Sequence, residues 1–390
     1  MDVVTRVVRK NQNLESTLPL TISSLHGLVD QITYFNNRVA SSNISNYFLV
    51  KRGEFAYNKS YSDGFPWGSV KRLDRYEMGV LSTLYIVFAL NKDFVDSDYI
   101  VSFYETDNWH KEVAVRAAEG ARNHGLLNIS ADNFFDTTVQ YPKEKMEQVK
   151  IGTFFKQLDQ LITLHQREYD KTVNIKKAML EKMFPKEGED RPEIRFAGFT
   201  DAWEQRKLGE LAEFSKGQGY TKGDLRKAGT PIILYGRLYT KFETVISNVD
   251  TFTMEKENSV ISKGKEVIVP ASGETAEDIS RASVVENAGI IIGGDLNIIQ
   301  PANEIAPVFL AITISNGTQQ KELSKRAQGK SVVHIHNSDL QKVMLIYPKI
   351  NEQRKIGEFF TNLDHLITLH QRELKKLQNM KKALLEKMFV

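Results

Sequence analysis

The sequence predicts an α+β protein in which two mixed domains of strand and helix alternate with two long helices. Residues 150–184 (KIGTFFKQLDQLITLHQREYDKTVNIKKAMLEKMF) and 355–389 (KIGEFFTNLDHLITLHQRELKKLQNMKKALLEKMF) are identical at 25 of 35 aligned positions. Such an internal repeat makes the chain one unit written twice. In each copy the apolar residues recur at three- and four-residue spacing, which puts them on one helical stripe. The stretches outside the repeats carry short apolar alternations between Gly, Asn, Ser and Asp, the pattern of strands and turns.

Residues 1–141 read as the first mixed domain, with strands over 47–50, 55–57 and 80–88 and a helix over 99–115. The first long helix covers 142–184: Pro142 sits at its start, where proline is tolerated, and Pro185 stops it. Leu158, Leu161, Ile162 and His165 form its expected pairing seam, and Leu363, Leu366, Ile367 and His370 are their equals in the second copy. A charged connector with a short aromatic segment follows over 185–209. The second mixed domain spans 210–347, with strands over 231–235, 266–269, 288–292 and 332–336, and the second long helix spans 348–390. At 1.5 Å per residue, about 40 helical residues make a rod of about 60 Å, too long for one small domain to cover. Each rod is therefore expected to pair with the other copy.

The two domains share a layout and little sequence. Lys51–Phe55 echoes Lys263–Val267, and Gly120–Arg122 echoes Gly329–Ser331; each domain closes on Tyr-Pro, at Tyr141 and Tyr347. Near-constant helices beside divergent domains fit two domains doing one job on different targets. The string RFAGFTDAWEQRKLGEL leads into the second domain, whereas the first has no counterpart to it and is expected to lack its lead-in segment.

Composition narrows the classes. The 390 residues are 41% hydrophobic and 26% charged, as in ordinary globular chains. There is no cysteine, so neither a disulfide nor a thiolate metal site is available. The N-terminal residues lack the apolar core of a signal peptide, and 78–90 is too short to span a bilayer, so a cytoplasmic location away from membranes is expected. The net charge of +3 resides in the repeats, each +3; residues 1–149 carry −2 and 185–354 carry −1. Any nucleic-acid contact by the mixed domains must use local patches.

Catalytic signatures are missing. Gly329-Lys330-Ser331 ends like a phosphate-binding loop, but Ser324 stands where the first glycine belongs. No proline follows another, which removes the Pro-Pro site of base-amino methyltransferases. Glu373-Leu374-Lys375 has no upstream Pro-Asp to complete a nuclease motif, and Gly217–Gly223 has the wrong spacing for a dinucleotide loop. His334 and His336 would share one strand face with no third ligand, so no metal site is expected.

Two divergent domains alternating with two near-identical helices resemble the specificity subunit of a type I restriction-modification system. The resemblance covers nearly the whole chain. It rests on Leu158–Glu168 and Leu363–Glu373, on the LEKMF tails, and on RFAGFTDAWEQRKLGEL. It implies two target recognition domains, each reading one half of a split double-stranded DNA site. The two helices would pair as an antiparallel coiled coil in a pseudo-twofold repeat, set the spacer and dock two methylation subunits. It further implies no catalysis and no cofactor on this chain: methylation subunits bring S-adenosylmethionine, and restriction subunits bring ATP and Mg.

Base edges are read by Arg, Lys, Asn and Gln, and phosphates are held by Lys, Arg, Ser and backbone amides. On that chemistry the expected DNA-binding residues of the first domain are Asn58, Lys59, Tyr61, Trp67, Lys71, Arg72, Arg122 and Asn123. Those of the second are Tyr235, Arg237, Ser272, Arg281, Lys325, Arg326, Gln328, Lys330 and Ser331. The alternative from another class is a coiled-coil adaptor joining two protein-binding domains, which explains the rods equally well.

Overall fold

The computed structural model describes residues 3–24, 26–60, 64–117, 127–329 and 332–389. The chain divides into two compact units, Met1–His165 with Glu373–Val390, and Gln166–Arg372. Each long helix, Lys145–Lys182 and Ile350–Met388, therefore contributes one half to each unit.

The first unit is built on an antiparallel sheet in the spatial order Val4–Arg6, Ile86–Leu90, Phe55–Asn58, Ser69–Arg72. Side chains alternate across it. Phe55, Tyr57, Ile86 and Phe88 face a core with Tyr99, Ile100, Trp109 and Phe134, while Ala56 and Val87 face Leu20, Leu28, Val50 and Leu81. The apolar run 80–88, expected as one strand, is two: Met78–Leu81 and Ile86–Leu90, parted by a turn. The helix expected over 99–115 is also two, Ser97–Phe103 and Asn108–Ala117.

The second unit repeats the scaffold in the order Ala212–Lys216, Leu296–Pro301, Glu266–Pro270, Ser283–Val285, with Val245–Ile246 added in parallel. A second five-stranded sheet contains Thr230–Ile233 beside Ala288–Ile292. The helix Pro307–Ile314, polar only at Thr313, packs its buried residues behind the first sheet.

One joint ties a long helix to each sheet domain. Gln148 is fully buried; its Nε2 donates to the carbonyls of Phe94 and Pro142, and its Oε1 accepts from the Asp96 N–H. Gln353, its repeat equivalent, donates to the carbonyls of Glu304 and Pro348 and accepts from the Ala306 N–H. One turn on, a glycine permits close approach in both units. A Cβ on Gly152 would lie 2.4 Å from the Tyr99 backbone nitrogen, and one on Gly357 would lie 3.3 Å from the Val308 side chain. Alanine normally gains about 1 kcal/mol over glycine within a helix. Gly152→Ala is nevertheless expected to cost about 1–3 kcal/mol, since backbone cannot yield as a side chain can. Gly357→Ala should cost less, and urea unfolding midpoints of the two variants compare them directly.

The long helices pair antiparallel within each unit. In the first, Asp159 is bonded to Lys381, and Phe155 lies against Phe389 with ring centroids 5.8 Å apart. In the second, Asp364 is bonded to Lys176, and Phe360 lies against Phe184 at 6.1 Å. These are the same residues of the repeat with the copies exchanged. Lys381 also reaches Glu105; burial pushes the Asp159 carboxyl pKa up, and the Glu105 charge adds to that. Of the expected seam residues, Leu158 and Leu363 are buried, and Ile162, Ile367, His165 and His370 are half-buried. Leu161 and Leu366 correct the expectation: they remain 47% and 42% exposed. The seam follows the face carrying Phe155 and Leu158, and a residue three positions past Leu158 has already turned about 300° around the axis.

Candidate nucleic-acid interface

In each unit some of the residues marked from sequence lie where the chain leaves the corresponding strand of its sheet: Asn58 and Lys59 in the first, Ser272 in the second. In the first, Phe55–Asn58 runs into Lys59, whose carbonyl accepts from the Leu127 N–H at 2.9 Å. In the second, Glu266–Pro270 runs into Ala271, whose carbonyl accepts from the Ile335 N–H at 3.1 Å. In each unit this backbone bond joins segments that lie more than sixty residues apart.

In the second unit the strands Ser272–Gly273 and Val333–His334 pair antiparallel, and Gln328 bridges His334 through reciprocal backbone bonds of 3.1 and 2.8 Å. The Ser272 Oγ lies 3.2 Å from His334 Nδ1, and the Tyr239 hydroxyl donates to the Ser272 carbonyl at 2.8 Å. Tyr235 is exposed and meets Tyr239 edge to face at 6.3 Å, and the Arg281 guanidinium lies 5.5 Å from the Tyr239 ring centre. Burial pushes the Tyr239 phenol up to about 12, so it stays a neutral donor. Gly329 closes the turn beside Gln328 at φ +136°, where a Cβ would strike the Val332 carbonyl. The result is a surface of mixed donors and acceptors flanked by an exposed aromatic ring, which is the chemistry of base-edge reading.

Of the other residues marked in this domain, Lys325 is exposed near the end of the helix Gly317–Arg326. Arg326 bonds Glu322, and Arg281 bonds Asp278. Arg237 departs from expectation. Its guanidinium is buried, bonded to Asp250 at 2.8 Å, Glu243 at 2.7 Å and the Asn248 carbonyl at 2.8 Å, so it braces the fold instead of facing a ligand. Lys330 and Ser331 lie outside the described residues.

In the first unit Asn58 caps its own loop, its Oδ1 accepting from the Ser60 N–H at 3.0 Å, and the Lys59 ammonium reaches the Ile129 carbonyl at 3.4 Å. Trp67 is half-buried, its carbonyl accepting from the Tyr57 hydroxyl at 2.8 Å. Gly68, at φ +75°, returns the loop so closely that a Cβ would overlap the Asn58 carbonyl. Arg72 also departs from expectation, because Asp74, Asp98 and Ser97 engage it at 2.7, 2.8 and 2.8 Å. Lys71 faces Glu105 at 3.8 Å. Tyr61, Arg122 and Asn123 lie outside the described residues.

Residues 200–379 match the family model for the type I restriction modification DNA specificity domain. That stretch carries a domain of this family. Along 318 residues the chain is 20% identical to the type I restriction enzyme MjaVIII specificity subunit of Methanocaldococcus jannaschii, covering 79% of this chain and 72% of that one. It shares its fold with the type I restriction-modification S subunit of M. genitalium, at TM-score 0.60 and 14% identity, over 90% of this chain and 87% of the other.

Within the second unit, sequence reading missed Tyr239 and His334 as recognition candidates. The signal for His334 was legible: Val333 and Ile335 alternate with it, so it must project from the opposite, exposed face. Tyr239 stands four residues after Tyr235, one helical turn away. Among the described residues no group of three or more His, Asp or Glu could hold a metal ion, and no helix is long and apolar enough to cross a membrane. His334 lies in a strand, whereas His336 precedes and caps the short helix Asn337–Leu340.

Proposed function

We propose that each mixed domain reads one half of a split double-stranded DNA site, and that the long helices set the unread spacer and dock two methylation subunits. The observation that carries this reading is the recurrence of one scaffold, one Gln-centred joint and one strand exit in both units, with divergent residues at the exit. Shared support beneath variable loops is what two readers of different tracts require. The chain then does no chemistry itself. S-adenosylmethionine and ATP with Mg act on the methylation and restriction subunits, in the compartment that holds the DNA.

The docking part of the proposal rests on apolar residues exposed alike in both copies. Leu161 and Leu164 with Met380 are exposed in the first unit, and Leu366 and Leu369 with Ile175 in the second. Repeated exposed apolar positions mark a surface that partners cover.

Exchanging residues 210–347 for another recognition domain of the family is expected to change one half of the methylated site and leave the other half as it was. Methylome sequencing of a host carrying the hybrid reads this, and a simultaneous change in both halves would sink the one-domain, one-half assignment. A coiled-coil adaptor is separated by titration with duplex at several salt concentrations. A reader neutralising Z phosphates has a log–log slope of about −0.9Z, whereas an adaptor has none.

A further inference from the structure

The strand pairing at the exit of the second unit sets three hydrogen-bonding side chains side by side. Ser272 is the direct cross-strand partner of His334, and Gln328 is the partner of His334 on its other side. Directly opposed residues of antiparallel strands share one face. The neighbours fix which face that is. Ala271, Val333 and Ile335 are buried, so Ser272 and His334 project from the opposite, outer face, and Gln328 with them. His334 exchanges both of its backbone bonds with Gln328, which makes that pair the wide kind and the Ser272–His334 pair the narrow kind. The row Ser272–His334–Gln328 is therefore about 10 Å across.

Two features separate this row from an ordinary polar surface. The first is that its outer groups are free. The Ser272 Oγ engages the imidazole at Nδ1, which leaves Nε2 on the far side of the ring. Neither Nε2 nor the Gln328 side-chain amide has a partner among the described residues. The second is that its backbone is held from behind. The Tyr239 hydroxyl donates to the Ser272 carbonyl at 2.8 Å, and the Ile335 N–H donates to the Ala271 carbonyl at 3.1 Å. Asn297, 2% exposed, donates to the Ile335 carbonyl at 2.9 Å. Support of this kind fixes a binding group before its partner arrives.

We propose that this row reads base edges in the major groove; the inference rests on the second domain's reading of one half-site. Gln328 takes an adenine through N6 and N7, the bidentate pairing that a side-chain amide makes. His334 reads a nearby base pair through Nε2, and Ser272 is a positioning residue that sets the imidazole. The major groove is about 12 Å wide and admits a β-ribbon, which matches a row of about 10 Å. Successive pairs rise about 3.4 Å, so the positions read by Gln328 and His334 lie one or two pairs apart.

The test is methylome sequencing of hosts carrying the full chain or a variant of it together with the methylation subunits. Gln328→Arg is expected to replace one A·T pair of the half-site by G·C, because arginine pairs with guanine O6 and N7. His334→Ala should accept any base at a position one or two pairs away. Ser272→Ala should relax that same position in part, and Ser272→Thr, which keeps the hydroxyl, should restore it. A merely structural serine would not confine its effect to one base pair. On duplexes that differ only at the adenine, Gln328→Ala should lose at least about fivefold of the parent's discrimination. Melting curves of the Gln328 and His334 variants should match the parent's, since both side chains are exposed. An unchanged methylated site in Gln328→Arg and His334→Ala overturns the proposal. A uniform loss of affinity with a shallower salt dependence also overturns it, assigning the row to phosphates. Exchange of residues 210–347 separates the two levels. If it moves a half-site that the row variants leave alone, only the row is wrong; if it moves neither half, the domain's reading falls and the row with it.

Discussion

Replacing Arg195 by methionine is expected to destabilise the second unit by about 3–5 kcal/mol, because the substitution leaves the Glu352 carboxylate buried without its cation. Glu352 is 2% exposed and the Arg195 side chain 13%, so water cannot take over the arginine's role. The remaining carboxylate must either stay charged in a poor solvent or take up a proton. Adding Glu352→Leu to the variant should recover much of the loss, since an apolar pair of similar volume is often as stable as a buried ion pair. Glu147→Gln, at the equivalent position of the repeat, provides the contrast: its side chain is exposed, and the change should stay within about 0.5 kcal/mol. Urea unfolding of the four chains is the measurement. A parent-like midpoint for Arg195→Met would mean that the Glu352 site is wetter than the packing indicates.

An aspartate at Leu363 should cost several kcal/mol, whereas one at Leu366 should cost almost nothing in stability. Leu363 is 8% exposed within the core that holds Phe360, Phe309 and Trp203, and a carboxylate there has no partner. Leu366 is 42% exposed, so its aspartate remains in water. The repeat doubles the experiment: Leu158→Asp should behave like Leu363→Asp, and Leu161→Asp like Leu366→Asp. The exposed pair should show its effect elsewhere, as weakened capture of methylation subunits, because the proposed function places that docking on these leucines. Thermal melts and co-purification with the methylation subunits separate the two outcomes. Equal melting losses at Leu363 and Leu366 would contradict the observed seam.

The contrast between these leucines shows how far periodicity reaches. Spacing of three and four identifies an apolar stripe but assigns no partner to each position on it, and this stripe is wide enough to serve two. Leu158 and Leu161 read alike in the sequence; only the register set by Asp159 with Lys381 and by Phe155 with Phe389 separates inner from outer. Arginine identity misled for a related reason. Arg72 and Arg237 sit in polar, turn-rich strings of the kind that contact DNA, yet folding pairs each with carboxylates: Arg72 with Asp74 and Asp98, Arg237 with Glu243 and Asp250. Ser272 and Gln328 were legible as polar loop residues, but their meeting at His334 depends on a strand pairing across some sixty residues.

The sequence by itself determined that the chain is a repeat, where its long helices begin and end to within three residues, and which family it resembles. Those properties are local: helical periodicity, flanking prolines and string identity need no distant partner. Tertiary structure alone decided which face of each rod is seam and which is bare, that Gln148 and Gln353 form the same buried joint, and that Arg195 of the lead-in segment reaches the buried Glu352. These depend on which groups meet across the chain, and burial is a property of the neighbours a residue acquires, not of the residue itself.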